Sequence, residues 1–356
     1  MAKLLYSFVL LGVLSLALAT PISSRRLSSL QNEELEYDFY RNSCPKAESI
    51  VRTTMEELYR LDQTTAPRLL RLVFHDCFVE GCDGSVLLDE NSGNMTEKST
   101  LPNQTLKGFE HIDTIKSRLE ETCPGTVSCA DIVVLAAREA VLQAGGPFYP
   151  VYTGRADSTK SHDEHVSSLP SPFDTVGEIL RKFDKKRFGE RETVSLLGGH
   201  SIGKIDCQFV RERLYNFSGS GKPDGSISAE YLVEMRRICK PEEESHSSTS
   251  SPSPSPSPSS FESAQVGEPA IQSRQKFDTH YYQKLIDNKG SLVSDQTFMD
   301  GGKTEALVRA YASDSGSTFR RDFARSMIKM SSLPGNPDFR GPVRFNCSRL
   351  FSSATV

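Results

Sequence analysis

The sequence predicts a mainly α-helical protein, and three observations support this prediction. Apolar residues recur at helical spacing in many segments, most clearly at 128–141, where Ser128 and Asp131 form a cap before an almost wholly apolar run. Clusters of Gly and Pro separate these segments. The alternation of period two that indicates half-buried strands is nearly absent.

The helical elements can be placed from this periodicity. The segment from Thr64 to His75 predicts a core helix, because Pro67 lies where a first turn tolerates it and apolar residues follow. The run at 128–141 predicts a helix that is buried on most sides. Further helices are predicted at 45–60, 109–121, 175–184, 192–197, 204–215, 228–238, 279–287, 303–312 and 316–330.

Residues 1–19 have the form of a secretory signal peptide. Lys3 precedes an uncharged apolar run from Leu4 to Leu18, which closes on a small-x-small site ending at Ala19. A membrane-spanning helix is the alternative, but the run is shorter than the roughly 20 residues that a bilayer core needs. No later stretch is apolar enough to span, so we expect a secreted protein without a membrane segment.

The eight cysteines are even in number, which in a secreted chain predicts four disulfide bonds without deciding their pairing. No Cys-x-x-Cys occurs, which argues against zinc and covalent c-type haem. Four Asn-x-Ser/Thr sequons fit secretion, at Asn94, Asn103, Asn216 and Asn346. A net charge of −4 gives no reason to expect nucleic acid or an anionic membrane as partner.

Residues 242–260 do not belong to a packed core, since they combine acidic residues and serines with a Ser-Pro repeat. This composition predicts a solvated, extended insertion. It is equally compatible with a hydroxyproline O-glycosylation or wall-anchoring site, which composition alone does not distinguish from a spacer.

Arg71 and His75 are the first candidates for chemistry, because residues four apart share one face of a helix. A neutral imidazole can accept a proton from a small ligand while the guanidinium stabilises developing negative charge. From the residues alone, Arg71 could instead pair with a carboxylate and His75 could be a core histidine.

His200 is the second candidate. It follows Gly198 and Gly199 at the end of an apolar helical run, and glycine permits close approach of the backbone to a flat ligand. The two glycines could equally cap a helix beside an ordinary loop histidine.

The segments 71–86 and 194–203 resemble the distal haem helix, the calcium loop and the proximal haem signature of the class III secretory plant peroxidases. The resemblance covers residues 36–350 apart from the insertion. It implies a two-lobed helical haem peroxidase fold with haem b between distal His75 and proximal His200. The implied activity is reduction of hydrogen peroxide with one-electron oxidation of small phenolic donors, by a monomer in the extracellular space or cell wall.

The resemblance also implies residue roles. Arg71 and His75 cleave the peroxide bond, while Asn103, held by Glu97, orients His75. His200 is the axial iron ligand, and Asp295 accepts its ring proton, which would fix the tautomer and make the imidazole more electron-donating. Phe74 matches a position that contacts the cofactor, and Pro170 matches a position that contacts the phenolic donor.

Two calcium sites are implied. The distal one is complete, with oxygens from Asp76, Val79, Gly81, Asp83 and Ser85. The proximal one is incomplete, since Ala270 stands where an aspartate is expected and only Ser201, Ser273 and Asp278 match. Glu268 could substitute after a local shift. The implied disulfides are Cys44–Cys123, Cys77–Cys82, Cys129–Cys347 and Cys207–Cys239.

A rival interpretation is a non-catalytic secreted protein that binds cell-wall polymers on a peroxidase scaffold. The incomplete proximal calcium site favours it, because haem would then be held weakly or not at all. The intact distal and proximal haem segments argue against it.

Overall fold

The computed structural model describes residues 35–90, 95–241, 270–273, 276–313 and 315–350. Both the predicted signal peptide at 1–19 and the Ser/Pro insertion at 242–260 lie outside these residues. The described helices are α1 (Ala47–Leu61), α2 (Thr65–Glu80), α3 (Phe109–Thr122), α4 (Cys129–Gln143), α5 (Val176–Lys185), α6 (Glu190–Leu197), α7 (Arg211–Tyr215), α8 (Ala229–Ile238), α9 (His280–Ile286), α10 (Val293–Gln296), α11 (Gly302–Ser313) and α12 (Ser317–Ser331).

The prediction of a mainly helical fold is confirmed. In the described residues, strands are two or three residues long and form three two-stranded antiparallel sheets. The sheets pair β1 (Glu36–Tyr37) with β2 (Tyr152–Thr153), β3 (Asp157–Ser158) with β6 (Arg340–Gly341), and β4 (Lys204–Asp206) with β5 (Ala270–Gln272).

The prediction of a helix over 204–215 is wrong for its first half. Lys204–Asp206 forms β4, whose Ile205 lies opposite Ile271 of β5, and only Arg211–Tyr215 is α-helical. Pairing with a distant segment overrides the local periodicity here, as tertiary context commonly does. Helix α10 was not predicted, because four residues are too few to show a period.

Helix α4 is at the centre of the core. Each of its residues from Cys129 to Val141 is buried, as its all-round apolar sequence predicts. Its N-terminus is capped as the sequence indicates, since the Ser128 side chain accepts a hydrogen bond from the Asp131 backbone N–H. Helix α2 packs along α4, and α1 packs on its other side.

A second, smaller hydrophobic cluster lies apart from this core, in agreement with a two-lobed fold. It gathers residues of β4, α7, α8 and β5 around the disulfide between Cys207 and Cys239. The other disulfides join the pairs that the resemblance implies, namely Cys44–Cys123, Cys77–Cys82 and Cys129–Cys347. In the described residues, no helix is both long enough and apolar enough to cross a membrane.

Gly198 follows α6 at the start of a short 3₁₀ turn, Gly198–Ser201. A Cβ at this position would lie 2.3 Å from the ring of Phe319 and 2.6 Å from the hydroxyl oxygen of Tyr282. The close approach at Gly198 is therefore to protein side chains, and not to a flat ligand as the sequence led us to expect. This contact fixes the turn that carries His200 against α9 and α12.

We expect Gly198→Ala to lower the free energy of unfolding by about 1–3 kcal/mol, the usual range for overpacking a core. Urea unfolding followed by circular dichroism would measure it. Gly177→Ala is the matched control, because a Cβ there meets no atom within 4 Å in α5. Equal stability of the Gly198→Ala and Gly177→Ala variants would contradict the packing argument.

Candidate functional site

Arg71 and His75 lie on the same face of α2, one helical turn apart, as their spacing predicts. The Nε–H of Arg71 points at His75 Nε2, and these atoms are 3.2 Å apart. The guanidinium is fixed from its other edge, where it donates to the Thr105 Oγ1 at 3.0 Å and to the Pro102 carbonyl oxygen at 3.0 Å. The cation is therefore held beside the imidazole by the loop that follows the 97–103 segment.

Asn103 fixes the tautomer of His75. Its Oδ1 lies 2.5 Å from His75 Nδ1, and its Nδ2 donates to the backbone carbonyl of Glu97 at 2.8 Å. Because an amide oxygen can only accept, Nδ1 carries the ring proton and Nε2 is the unprotonated nitrogen, which accepts the hydrogen bond from Arg71 Nε–H. Asn103 is 2% exposed and both of its amide atoms are bonded.

Glu97 holds Asn103 as expected, but with a different oxygen atom from the one expected. Its backbone carbonyl holds Asn103, whereas its carboxylate Oε1 accepts the backbone N–H of His162 at 3.0 Å. Sequence could identify the residue but not which of its oxygens contacts the amide. Glu97 thus connects Asn103 to the segment around His162.

The environment keeps His75 neutral. Burial and then the charge of Arg71 lower the pKa of His75 to about 3, although the hydrogen bond with Asn103 opposes this shift. Burial also lowers the pKa of Arg71 to about 10, which leaves the guanidinium charged at neutral pH. The pair therefore combines an unprotonated base with a cation.

His200 and Asp295 form the second part of the site. His200 Nδ1 lies 2.7 Å from Asp295 Oδ1, while Asp295 Oδ2 accepts the backbone N–H of Leu292 at 3.1 Å. Asp295 is 2% exposed, but the side chain of His200 is 45% exposed. Since Nδ1 is engaged, the open face of the ring presents Nε2.

His200 and Asp295 shift each other's pKa values. Burial alone would lower the pKa of His200, but the charge and hydrogen bond of Asp295 raise it. Burial would likewise raise the pKa of Asp295, but the charge and hydrogen bond of His200 lower it. The pair is thus an imidazole strongly polarised by a carboxylate.

The distal and proximal groups lie near each other. The charge of Arg71 reaches His200 and opposes the rise of its pKa. Leu70, next to Arg71, lies 3.3 Å from where a Cβ of Gly199 would be. An open imidazole nitrogen opposite a base and a cation fits an axial haem ligand, since peroxidases bind their haem iron through histidine.

Phe74 and Pro170 are both half-buried. The ring of Phe74 stacks on Phe183 of α5 with centroids 6.1 Å apart. Pro170 lies in the loop before α5, and this loop is joined to α10 because the backbone N–H of Ser294 donates to the Pro172 carbonyl at 3.1 Å.

The residues expected to hold the distal calcium contain unpaired buried oxygens. Asp76 Oδ1 and Ser85 Oγ have no hydrogen-bond partner, and neither has Oε2 of Glu97, which was not expected to be a calcium ligand but whose charge acts on Asp76. Burial raises the pKa of Asp76, and the charges of Asp83 and Glu97 raise it further. Such crowding of hard oxygens fits a calcium ion, which would satisfy them and offset their repulsion.

Two other donors of this loop already have partners. The Val79 carbonyl accepts the ammonium of Lys186 at 2.6 Å, and Asp83 Oδ2 lies 3.2 Å from His162 Nε2. A carbonyl oxygen and a carboxylate each have further lone pairs, so both remain able to bind a cation. Among the described residues, no group of three or more His, Cys, Asp or Glu is arranged to hold a metal, so the site depends on hydroxyl and carbonyl oxygens as well.

The proximal calcium residues fit a cation less well. Ser201 Oγ is buried without a partner, but Ser273 Oγ donates to the His200 carbonyl at 3.2 Å. Asp278 Oδ1 accepts the backbone N–H of His280 at 2.8 Å and also contacts its imidazole. Ala270, in β5, contributes no carboxylate, and Glu268 lies outside the described residues.

Sequence reasoning missed several residues that hold these groups in place. Thr105 and Pro102 restrain Arg71, His162 contacts Asp83, and Tyr281 donates to Asp295 at 3.0 Å. The Tyr-Tyr pair at 281–282 could have indicated a buried polar helix face, but the other three contacts carry no local signal.

A helical fold in which an Arg–His pair lies near a His–Asp pair is typical of a haem peroxidase. A family model described as Peroxidase matches residues 51–314. Peroxidase 25 of Arabidopsis thaliana is 40% identical over 349 residues, 97% of this chain and 98% of its own. Peroxidase N1 of Nicotiana tabacum is 38% identical over 315 residues, 88% of this chain and 89% of its own.

A further Arabidopsis thaliana relative, Peroxidase 48 by a provisional designation, is 46% identical over 333 residues, 88% of this chain and 82% of its own. The chain belongs to the class III plant peroxidases, as the resemblance in its sequence implies. It is a haem-dependent peroxidase, and the rival of a non-catalytic scaffold is not favoured.

The pKa of His75 predicts the acid limb of the activity. Protonation at about pH 3 would remove the base, so the rate of peroxide reduction should be flat from about pH 8 to about pH 5 and fall below about pH 4. Stopped-flow rates, with circular dichroism at each pH to verify folding, would measure this. A midpoint near the ordinary histidine pKa of about 6.5 would contradict the environment described for His75.

Proposed function

We propose that this chain reduces hydrogen peroxide with His75 as the base, Arg71 as the stabilising cation and His200 as the axial iron ligand. One observation carries the proposal. The hydrogen bond from His75 Nδ1–H to Asn103 leaves Nε2 as the unprotonated ring nitrogen, and this nitrogen accepts a hydrogen bond from Arg71 Nε–H.

The steps assigned to these residues are proton transfers and charge stabilisation. His75 Nε2 would take the proton from one peroxide oxygen and return it to the departing oxygen, which leaves as water. Arg71 would stabilise the negative charge that develops on that oxygen. Asn103 would hold the ring in the tautomer that can accept, and thereby couple the base to Glu97.

Haem b, when bound, would supply a redox-active iron centre that gives electrons to peroxide and regains them one at a time from the donor. His200 would hold it through Nε2, and Asp295 would keep the Nδ1 proton hydrogen-bonded. Phe74 would line the cofactor from α2. These assignments are supported by the partly exposed ring of His200 and the engaged Nδ1 beneath it.

The distal loop would hold one calcium through Asp76, Asp83, Ser85 and the carbonyls of Val79 and Gly81. The unpaired oxygens of Asp76 and Ser85 support this assignment. The proximal group, Ser201, Ser273 and Asp278, would bind a second calcium weakly, since one carboxylate is missing.

We further propose that the electron donors are small phenols that contact the loop at Pro170, and that the protein acts as a secreted monomer in the extracellular space or cell wall. Residues 1–19 would be a cleaved signal peptide and 36–350 the peroxidase domain. Residues 242–260 would be a solvated insertion, and cell-wall polymers would be partners if it is an O-glycosylated anchor.

The test of the proposed function is His75→Leu. We expect the rate of peroxide reduction to fall by on the order of a hundredfold or more, the contribution of general base catalysis, with the haem Soret band retained. His111→Leu is the control, because His111 is also buried but contacts Thr65, 3.4 Å away on the N-terminal turn of α2. Rates near wild type in a haem-replete His75→Leu protein would contradict the assignment.

His200→Ala separates the two histidine roles. This variant should lose the Soret band or hold haem weakly, whereas His75→Leu should keep it. The opposite pattern would reverse the distal and proximal assignments.

Calcium content should differ between the two loops. Metal analysis after mild chelation should find about one calcium per chain, from the ligand charge of each site. Asp76→Asn should abolish this calcium, and Asp278→Asn should leave it unchanged. Two calcium ions of equal resistance to chelation would show that other oxygens complete the proximal site.

A further inference from the structure

Tyr281 contacts the proximal pair from α9. Its hydroxyl donates to Asp295 Oδ1 at 3.0 Å, the same oxygen that accepts His200 Nδ1–H at 2.7 Å. Its ring stands edge-on to the imidazole of His200, with centroids 5.9 Å apart and planes at 88°. Tyr281 is 5% exposed, so water does not compete freely for this hydrogen bond.

The direction of this hydrogen bond is fixed. Burial raises the pKa of Tyr281 well above its ordinary value, and the charge of Asp295 raises it further, so the phenol keeps its proton. Asp295 has only hydrogen-bond donors around its carboxyl oxygens, since it accepts from the backbone N–H of Leu292 and faces the Nδ1–H of His200. A phenol beside a carboxylate can therefore only donate, and two donors share one carboxylate oxygen.

Sharing that oxygen has an electronic consequence. A carboxylate that accepts a second hydrogen bond is a weaker acceptor for the first, so it draws the Nδ1 proton of His200 less strongly. The imidazole then donates less electron density through Nε2 to whatever it binds. Tyr281 thus opposes the effect of Asp295 on the axial ligand.

We propose that Tyr281 is a positioning residue that sets the electron donation of His200 by occupying Asp295 Oδ1, and that it raises the ferric/ferrous reduction potential of the bound haem. This inference rests on the proposed role of His200 as axial ligand. Removing the hydroxyl leaves Oδ1 to His200 alone, which strengthens that bond and favours the ferric iron.

Tyr282 provides a matched control on the next position of α9. It is also fully buried, but its hydroxyl donates to the backbone carbonyls of Val194 at 2.9 Å and Ser195 at 3.3 Å in α6. Tyr282→Phe therefore removes a buried hydroxyl of the same helix without touching Asp295. Any effect of generally loosened packing should appear in both variants.

The experiment compares Tyr281→Phe, Tyr282→Phe and wild-type holoprotein by redox titration and by resonance Raman of the iron–histidine stretch in the ferrous form. We expect Tyr281→Phe to shift the potential downward and the stretching band to higher frequency. Tyr282→Phe, which removes a hydroxyl that packs on the His200 turn but does not contact Asp295, should shift both much less. Urea unfolding of all three verifies that folding is comparable.

A double-mutant cycle with Asp295→Asn decides whether the effect passes through the carboxylate. If it does, adding Tyr281→Phe to Asp295→Asn should shift the potential much less than it shifts the wild type. An equal shift in both backgrounds would overturn the proposal, as would an unchanged potential and stretch in Tyr281→Phe. A Tyr281→Phe protein that folds normally but takes up no haem would overturn it too. The proposal is that Tyr281 adjusts the reduction potential of bound haem, and not that it is required for haem binding.

The wild-type spectrum tests the proposed function separately. If wild-type holoprotein shows no iron–histidine band, the assignment of His200 itself fails. If the band is present and Tyr281→Phe does not move it, only the role of Tyr281 fails.

Discussion

The packing of α2 against α4 is the constraint on which the rest of the site depends. Because α4 is buried along nearly its whole length, one face of α2 must lie against it, and the rotation of α2 about its axis is then fixed. Helical spacing places Arg71 and His75 together on another face. The same rotation buries Asp76 among the carboxylates of the calcium loop, so the base and the cation site are oriented by one packing contact.

His75 and His200 share one hydrogen-bond geometry, but their pKa values shift in opposite directions. In each, Nδ1 carries the ring proton and Nε2 is the unprotonated nitrogen, but the acceptor is a neutral amide for His75 and a carboxylate for His200. The pKa falls for His75, where burial and Arg71 prevail, and rises for His200, where Asp295 prevails. A neutral imidazole at His75 and a polarised imidazole at His200 thus follow from burial, from Arg71 and from the charge of the hydrogen-bond acceptor together.

His75 and the loop that is expected to hold the distal calcium belong to one polar network. Glu97 accepts from Asn103 through its backbone carbonyl and from His162 through its carboxylate. His162 in turn contacts Asp83 of the loop. A cation at Asp83 and Asp76 would therefore restrain the partner that orients His75, which gives calcium a physical route to the catalytic geometry without contact with substrate.

The sequence by itself determined the helical class, most helix positions, the Ser128 cap, and the pairing of Arg71 with His75, because each depends on residues within a few turns of one another. Only the tertiary structure decided what the polar groups contact. His75 and Asn103 are 28 residues apart, and His200 and Asp295 are 95 apart. The strand at Lys204–Asp206 and the carboxylate of Glu97 likewise pair with distant segments, at Ala270–Gln272 and at His162. Local patterns specify which face of an element is buried, but contacts between distant segments are chosen by how those faces pack.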